Sequence, residues 1–225
     1  MPKYNSITLT NQDYNVIKSL EEKISEPIPF INQGSHGDHI KYNSFGFIPL
    51  NSFINSLGLF NKKINEFSLE ITDLGNLRHL SLGRTGISNV GSNIGLLVNL
   101  EKIYFSYNKL KTLPGELFTL SELAILDLSN NRLKSLPDNL DNLTSLRRLL
   151  LSNNDLKSLP ENVYKLKNLQ KLDLSNNKLN TLPETVLNLK NLKYLNITNN
   201  IFDIDWIESF KSKISQTKFK AKIIW

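Results

Sequence analysis

Three potential metal ligands fall close together in the stretch "GSHGDH": His36, Asp38 and His39. Two imidazoles and a carboxylate suit a divalent cation, but a stable site needs a further preorganised ligand, and the neighbouring sequence signals none. The stretch therefore reads as a glycine-flanked loop. The remaining histidine, His79, falls on the expected concave face with no paired serine or cysteine nucleophile recognisable nearby. The chain contains no cysteine, which removes thiol catalysis, thiolate metal sites and disulfides, and suits a reducing compartment. No Gly-x-Gly-x-x-Gly, phosphate-binding loop, nucleophile elbow or His-Glu-x-x-His is present. Ser129, Ser152 and Ser175 recur at one place in copies of "LSNN", which marks architecture rather than a nucleophile. No enzyme, cofactor or metal is expected.

The elements that would position any functional group are periodic. Apolar residues recur at Ile54, Leu77, Leu100, Leu123, Leu146, Leu169 and Leu192, always 23 residues apart, and the fullest unit is "LAILDLSNNRLKSLPDNLDNLTS". In it Leu126 and Leu128 alternate as a strand requires, both facing inward, while Asp127 points out. Strands of successive units should stack in parallel roughly 4.8 Å apart, whereas the returning segments, with Leu136, Leu140 and Leu143 at helical spacing, need more room. That mismatch bends the stack, with the sheet on the inner face. Asn108, Asn131, Asn154, Asn177 and Asn200 leave each strand and are expected to satisfy backbone groups of the turn. Pro114, Pro137, Pro160 and Pro183 suit the first position of the returning helical turn, with an acidic residue close behind.

The unit L-x-x-L-x-L-x-x-N-x-L-x-x-L-P-x-x-L is the leucine-rich-repeat signature and resembles the intracellular Ras-suppressor-like type. The resemblance covers about residues 54–204 and implies an α/β solenoid with a curved parallel sheet and short helical or 3-10 segments outside. Three parts are expected: an N-terminal cap over 1–53, seven repeats over 54–204 with the last incomplete, and a C-terminal cap over 205–225. In the first part Thr10 or Asn11 caps a helix bearing Tyr14, Ile17, Leu20 and Ile24, followed by a hairpin turning at Asn51 and Ser52. That part resembles the caps of archaeal leucine-rich-repeat proteins. In the last, Asp205 to Glu208 starts a helix with Trp206, Ile207, Phe210 and Ile214, and "KFKAKIIW" forms an edge strand guarded by lysines.

The start of the chain is polar where a signal peptide needs an apolar core, and no run reaches the roughly 18 apolar residues of a membrane span. A soluble, cytoplasmic protein is expected. With 27 basic and 21 acidic residues the net charge is +6, which favours acidic partners without a dominant polybasic block. Nucleic acid is not favoured, because no aromatic and basic residues interleave in a recognition-module pattern.

Function must lie where the lattice leaves residues free, namely the third, fifth, seventh and eighth positions of each repeat. The candidate partner-binding residues are Phe60, His79, Arg84, Lys102, Tyr104, Tyr107, Ile125, Asp127, Arg148, Leu150, Lys171, Asp173 and Tyr194. Tyr104, Tyr107, Ile125 and Leu150 should form one apolar neighbourhood. Arg148 and Lys171 are like-charged strand neighbours, unfavourable unless Asp127 and Asp173 or an acidic partner compensate. The expectation is a protein-binding scaffold. By its resemblance, the partner is a small GTPase or another signalling protein with an acidic patch. The alternative is binding of nucleic acid or an anionic surface through Lys218, Lys220 and Lys222.

Overall fold

The computed structural model describes residues 1–4, 7–31, 41 and 43–225. His36, Asp38 and His39 lie outside these described residues. A small antiparallel pair, β1 (Lys3–Tyr4) and β2 (Ile7–Thr8), precedes helix α1 (Asn11–Ile24). The Thr10 hydroxyl accepts the Asp13 amide and so caps α1, and Val16, Ile17 and Leu20 are its buried stripe. Asp13 is itself buried, and its Oδ2 accepts the backbone N–H of Ile54, which ties the helix to the first repeat. At the far side of the helix Lys23 pairs with Glu70 at 2.8 Å, and the Ser19 hydroxyl donates to the same carboxylate at 2.9 Å.

The hairpin of β3 (Phe45–Leu50) and β4 (Phe53–Leu59) turns through Asn51 and Ser52, both at positive φ, as a two-residue turn between twisted strands requires. From β4 the sheet continues in parallel through β5 (His79–Ser81), β6 (Lys102–Tyr104), β7 (Ile125–Asp127), β8 (Arg148–Leu150), β9 (Lys171–Asp173) and β10 (Tyr194–Asn196). The register advances one repeat per strand: Ser56, His79, Lys102, Ile125, Arg148, Lys171 and Tyr194 are successive neighbours. Between strands the core is a column of leucines, Leu80, Leu126, Leu149 and Leu172 among them, with no exposed surface. These aliphatic stacks drive the fold, because each repeat buries its apolar side only against its neighbours.

The returning segments are five-residue 3-10 turns, such as Asp138–Asn142 and Glu161–Lys165. Each of the four prolines sits one residue before its turn rather than at its first position. Pro160, at φ −66 and ψ 143, is extended, and its carbonyl accepts the Val163 amide. The ring that fixes φ thus serves the entry to the turn.

The asparagine ladder is as its position implies. Asn154 donates from Nδ2 to the carbonyls of Leu128 and Leu151, each at 3.0 Å, and accepts the Leu133 amide at 3.0 Å. Asn131 and Asn177 repeat this set. Thr85 takes the corresponding place one repeat before Asn108, and its hydroxyl donates to the Leu82 carbonyl.

Helix α2 (Ile204–Ser215) starts two residues earlier than the sequence pattern implied, because Asp203 is the capping residue and accepts the Trp206 amide at 2.7 Å. Phe202, Trp206 and Phe210 stack with centroids 4.2 and 4.7 Å apart over the last repeat. The closing strand is shorter than expected: β11 (Lys222–Ile224) runs parallel to β10 and brings Lys222 beside Tyr194.

Candidate functional site

The strand side chains that point away from the leucine core form the inner face. Its first repeats are closed. Ser56 and His79 are each 1% exposed and Ser81 has no exposure, so the expectation of His79 as a contact residue is corrected. The step of 23 residues places the Ser56 hydroxyl 2.9 Å from His79 Nδ1, with His79 Nε2 3.7 Å from a Glu101 oxygen, so a serine does lie beside this histidine. Glu101 also pairs with Arg78. The constellation resembles a nucleophile, base and acid in type, but the buried hydroxyl is out of reach of a substrate carbonyl and the group reads as internal bracing. Phe60 is half-buried, and its ring lies where a side chain on Gly83 would sit, 2.8 Å from that position.

From Arg84, just past β5, the face opens. Lys102, Tyr104, Ile125, Leu150, Lys171, Asp173 and Tyr194 are half-buried, while Arg84, Tyr107 and Arg148 are exposed. Register puts Tyr104 beside Asp127 and Asp127 beside Leu150, with Lys102, Ile125 and Arg148 in the adjoining row. Tyr104, Ile125 and Leu150 are therefore brought together as the periodicity implied.

Asp127 is different from what sequence suggested. It is 8% exposed, its carboxylate accepts the Ser129 amide at 3.0 Å, and burial pushes its pKa up against that hydrogen bond, with Asp173 adding to the rise. Asp173 accepts both the amide and hydroxyl of Ser175, and Asn196 does the same for Thr198. The fifth position thus braces the turn wherever it carries Asp or Asn. Tyr104 and Leu150 cannot do so, and the buried hydroxyl of Ser106, two residues past Tyr104, has no hydrogen-bond partner. These two repeats give up a local bond that their neighbours keep.

The face is cationic. Arg148 and Lys171 are direct strand neighbours, and no ion pair joins either to a carboxylate among the described residues. Lys171 stands over the Tyr194 ring at 4.9 Å. Burial lowers the Lys102 pKa, Glu101 partly opposes this, and Arg148 adds to the lowering. Sequence placed Lys222 on a flank, but parallel pairing puts it in the same row beyond Tyr194. Arg147 and Lys193, one residue before their strands, are exposed along the adjoining rim. Their shared second position in the repeat was the available signal. Among the described residues no group of three His, Cys, Asp or Glu side chains could hold a metal. Among the described residues no helix is long and apolar enough to cross a membrane.

A stack of in-register strands with an asparagine ladder and an outward-facing variable row defines a repeat solenoid built to present a surface. The chain is a leucine-rich-repeat protein: residues 137–212 match a family model described as a leucine-rich repeat region, and 75–133 and 98–156 one described as leucine rich repeat. A solved leucine-rich-repeat protein of Leptospira interrogans is 30% identical, with a TM-score of 0.61, over 76% of this chain and 48% of that one. The ectodomain of the plant membrane receptor kinase GASSHO1/SCHENGEN3 from Arabidopsis thaliana, solved in complex with Casparian strip integrity factor 2, is 29% identical. It matches over 75% of this chain and 21% of that one, with a TM-score of 0.62. An internalin of Listeria monocytogenes shares the fold at 23% identity and a TM-score of 0.62, over 75% of this chain and 46% of that one. The chain thus spans less than half the length of each. No curated protein sequence matches it. Domains of this family generally mediate protein–protein interaction and are typically non-enzymatic.

Proposed function

We propose that this chain is a non-enzymatic, cytoplasmic interaction module that binds an acidic region of a protein partner through the open part of its inner face. Tyr104, Tyr107, Ile125 and Leu150 act as apolar anchors, and Arg84, Lys102, Arg148 and Lys171 select the charge. The observation that carries this reading is the pairing of Arg148 with Lys171 on adjacent strands, neither held in an ion pair among the described residues, with the buried Asp127 acting on Lys171 only at a distance. Like charges so placed oppose folding, and an acidic partner would relieve them. A small GTPase or another signalling protein is the partner class implied by resemblance to the Ras-suppressor-like type.

The test is a pull-down from the native organism with wild type, Tyr104→Ala plus Leu150→Ala, and Arg148→Glu plus Lys171→Glu. Both double variants should lose the same partner by at least about tenfold, the scale of losing one buried anchor or charge contact. Identical partner lists across the three would sink the reading. The exposed Lys218, Lys220 and Lys222 favour the alternative of an anionic surface or nucleic acid. Salt-sensitive retention of an oligonucleotide that disappears when these three lysines are neutralised would select it instead.

A further inference from the structure

Every repeat leaves its strand through one residue in the left-handed region: φ is 62° at Asn61, 57° at Asn130, 55° at Asn153, 54° at Asn176 and 55° at Asn199. Asparagine tolerates this conformation because its short polar side chain does not crowd the backbone. Two consecutive repeats break the rule, with Arg84 at φ 55° and Tyr107 at φ 59°. Both are exposed, Tyr107 at 46%, so neither conformation is repaid by burial in the core. Neither side chain makes a hydrogen bond or ion pair with a described residue. They interact with each other, the Arg84 guanidinium lying over the Tyr107 ring 5.0 Å from its centre.

A guanidinium stacked on a ring is held in place while its N–H edge stays free, which is the geometry that meets a carboxylate with two parallel hydrogen bonds. The same repeat, starting at Leu100, also carries Tyr104, whose presence leaves the Ser106 hydroxyl unbonded. One repeat therefore departs from the lattice at both of its variable turn positions. Departures of this kind collect where a surface is used rather than where it is built.

We propose that Arg84 and Tyr107 form a preassembled carboxylate clamp at the edge of the inner face, gripping a glutamate or aspartate side chain of the partner's acidic segment. This rests on the inner-face reading above. Charge complementarity sets the occupant: Arg84, Lys102 and Arg148 present cations around the anchors Tyr104, Ile125 and Leu150. That mixture fits an acidic protein segment with interspersed apolar residues better than a phosphate backbone, which offers the anchors nothing apolar to bury.

The experiment restores the lattice residue with Arg84→Asn plus Tyr107→Asn and uses as probe a fluorescent peptide of glutamates interspersed with leucines. Parallel arms carry a single-stranded oligonucleotide and phosphatidylserine vesicles. The double variant should melt at an equal or higher temperature than wild type, by up to roughly 5 °C, yet bind the peptide at least about tenfold more weakly. Arg84→Lys should also bind more weakly, because a lysine keeps the charge without the fork. A well-folded double variant that binds as wild type does overturns the clamp. If Tyr104→Ala plus Leu150→Ala abolishes binding in that case, the inner-face reading stands alone. Binding that neither variant alters overturns both. Wild type that ignores the peptide, or prefers the oligonucleotide or vesicles, overturns the assignment to an acidic protein segment.

Discussion

The two asparagines of "LSNN" have the same chemistry and opposite burdens, and the pair Asn153 and Asn154 tests this within one turn. Asn154 is 8% exposed and holds the carbonyls of Leu128 and Leu151 and the amide of Leu133. Asn154→Ala removes these three hydrogen bonds at once, together with a longer one to the Ser152 carbonyl. A buried backbone group stripped of its partner costs about 1–3 kcal/mol, so with partial relaxation the loss is about 3–5 kcal/mol. Against a domain stability of about 5–15 kcal/mol, that is a large fraction. Asn153 is exposed and serves by its left-handed backbone, φ 55°, which glycine adopts freely, so Asn153→Gly should change stability by less than about 1 kcal/mol. Urea unfolding followed by circular dichroism reads both, as midpoints shifted at an unchanged slope. A loss below about 1 kcal/mol for Asn154→Ala, or equal losses for the two variants, would refute the assignment of the ladder to the ninth position.

Two further predictions follow from the same lattice. Burial raises the pKa of Asp127, so its ionisation opposes folding: its contribution is most favourable below the unfolded value, near the ordinary 3.8, and is lost as pH rises through the folded value. Asp127→Asn, which keeps the acceptor that Asn196 uses in the same place, should therefore raise the melting temperature at pH 7 and give no gain near pH 3; thermal melts at both values check this. Gly58 faces the backbone carbonyl of Ser44, and a β-carbon there would stand 2.5 Å from that oxygen. Gly58→Ala should destabilise by at least about 2 kcal/mol, with proteolysis starting within the first hairpin; an unchanged digestion pattern and midpoint would contradict it.

Much of the frame was legible because each structural role has its own letter at a fixed interval. Leu126 and Leu149 could be placed in the core, and Asn131 and Asn154 in the turn, from spacing alone, since a parallel stack with no insertions converts sequence distance into spatial adjacency. Tyr104, Ile125 and Leu150 were brought together for the same reason. The prolines and the α2 cap were displaced by one or two residues because boundaries depend on which carbonyl or carboxylate reaches an amide, as Asp203 reaches Trp206.

What the periodic sequence determined by itself was the lattice: which residues face in, which turn, and which rows are variable. What only the tertiary structure decided was which variable residues are open. His79 and Asp127 occupy outward positions in the pattern, yet one is enclosed beside Ser56 and the other is sunk between Tyr104 and Leu150 and bonded to its own turn. Periodicity assigns a side chain to a face, but exposure depends on the size and bonding of its neighbours in three dimensions, and the strand neighbours of His79 and Asp127 lie a full repeat away along the chain.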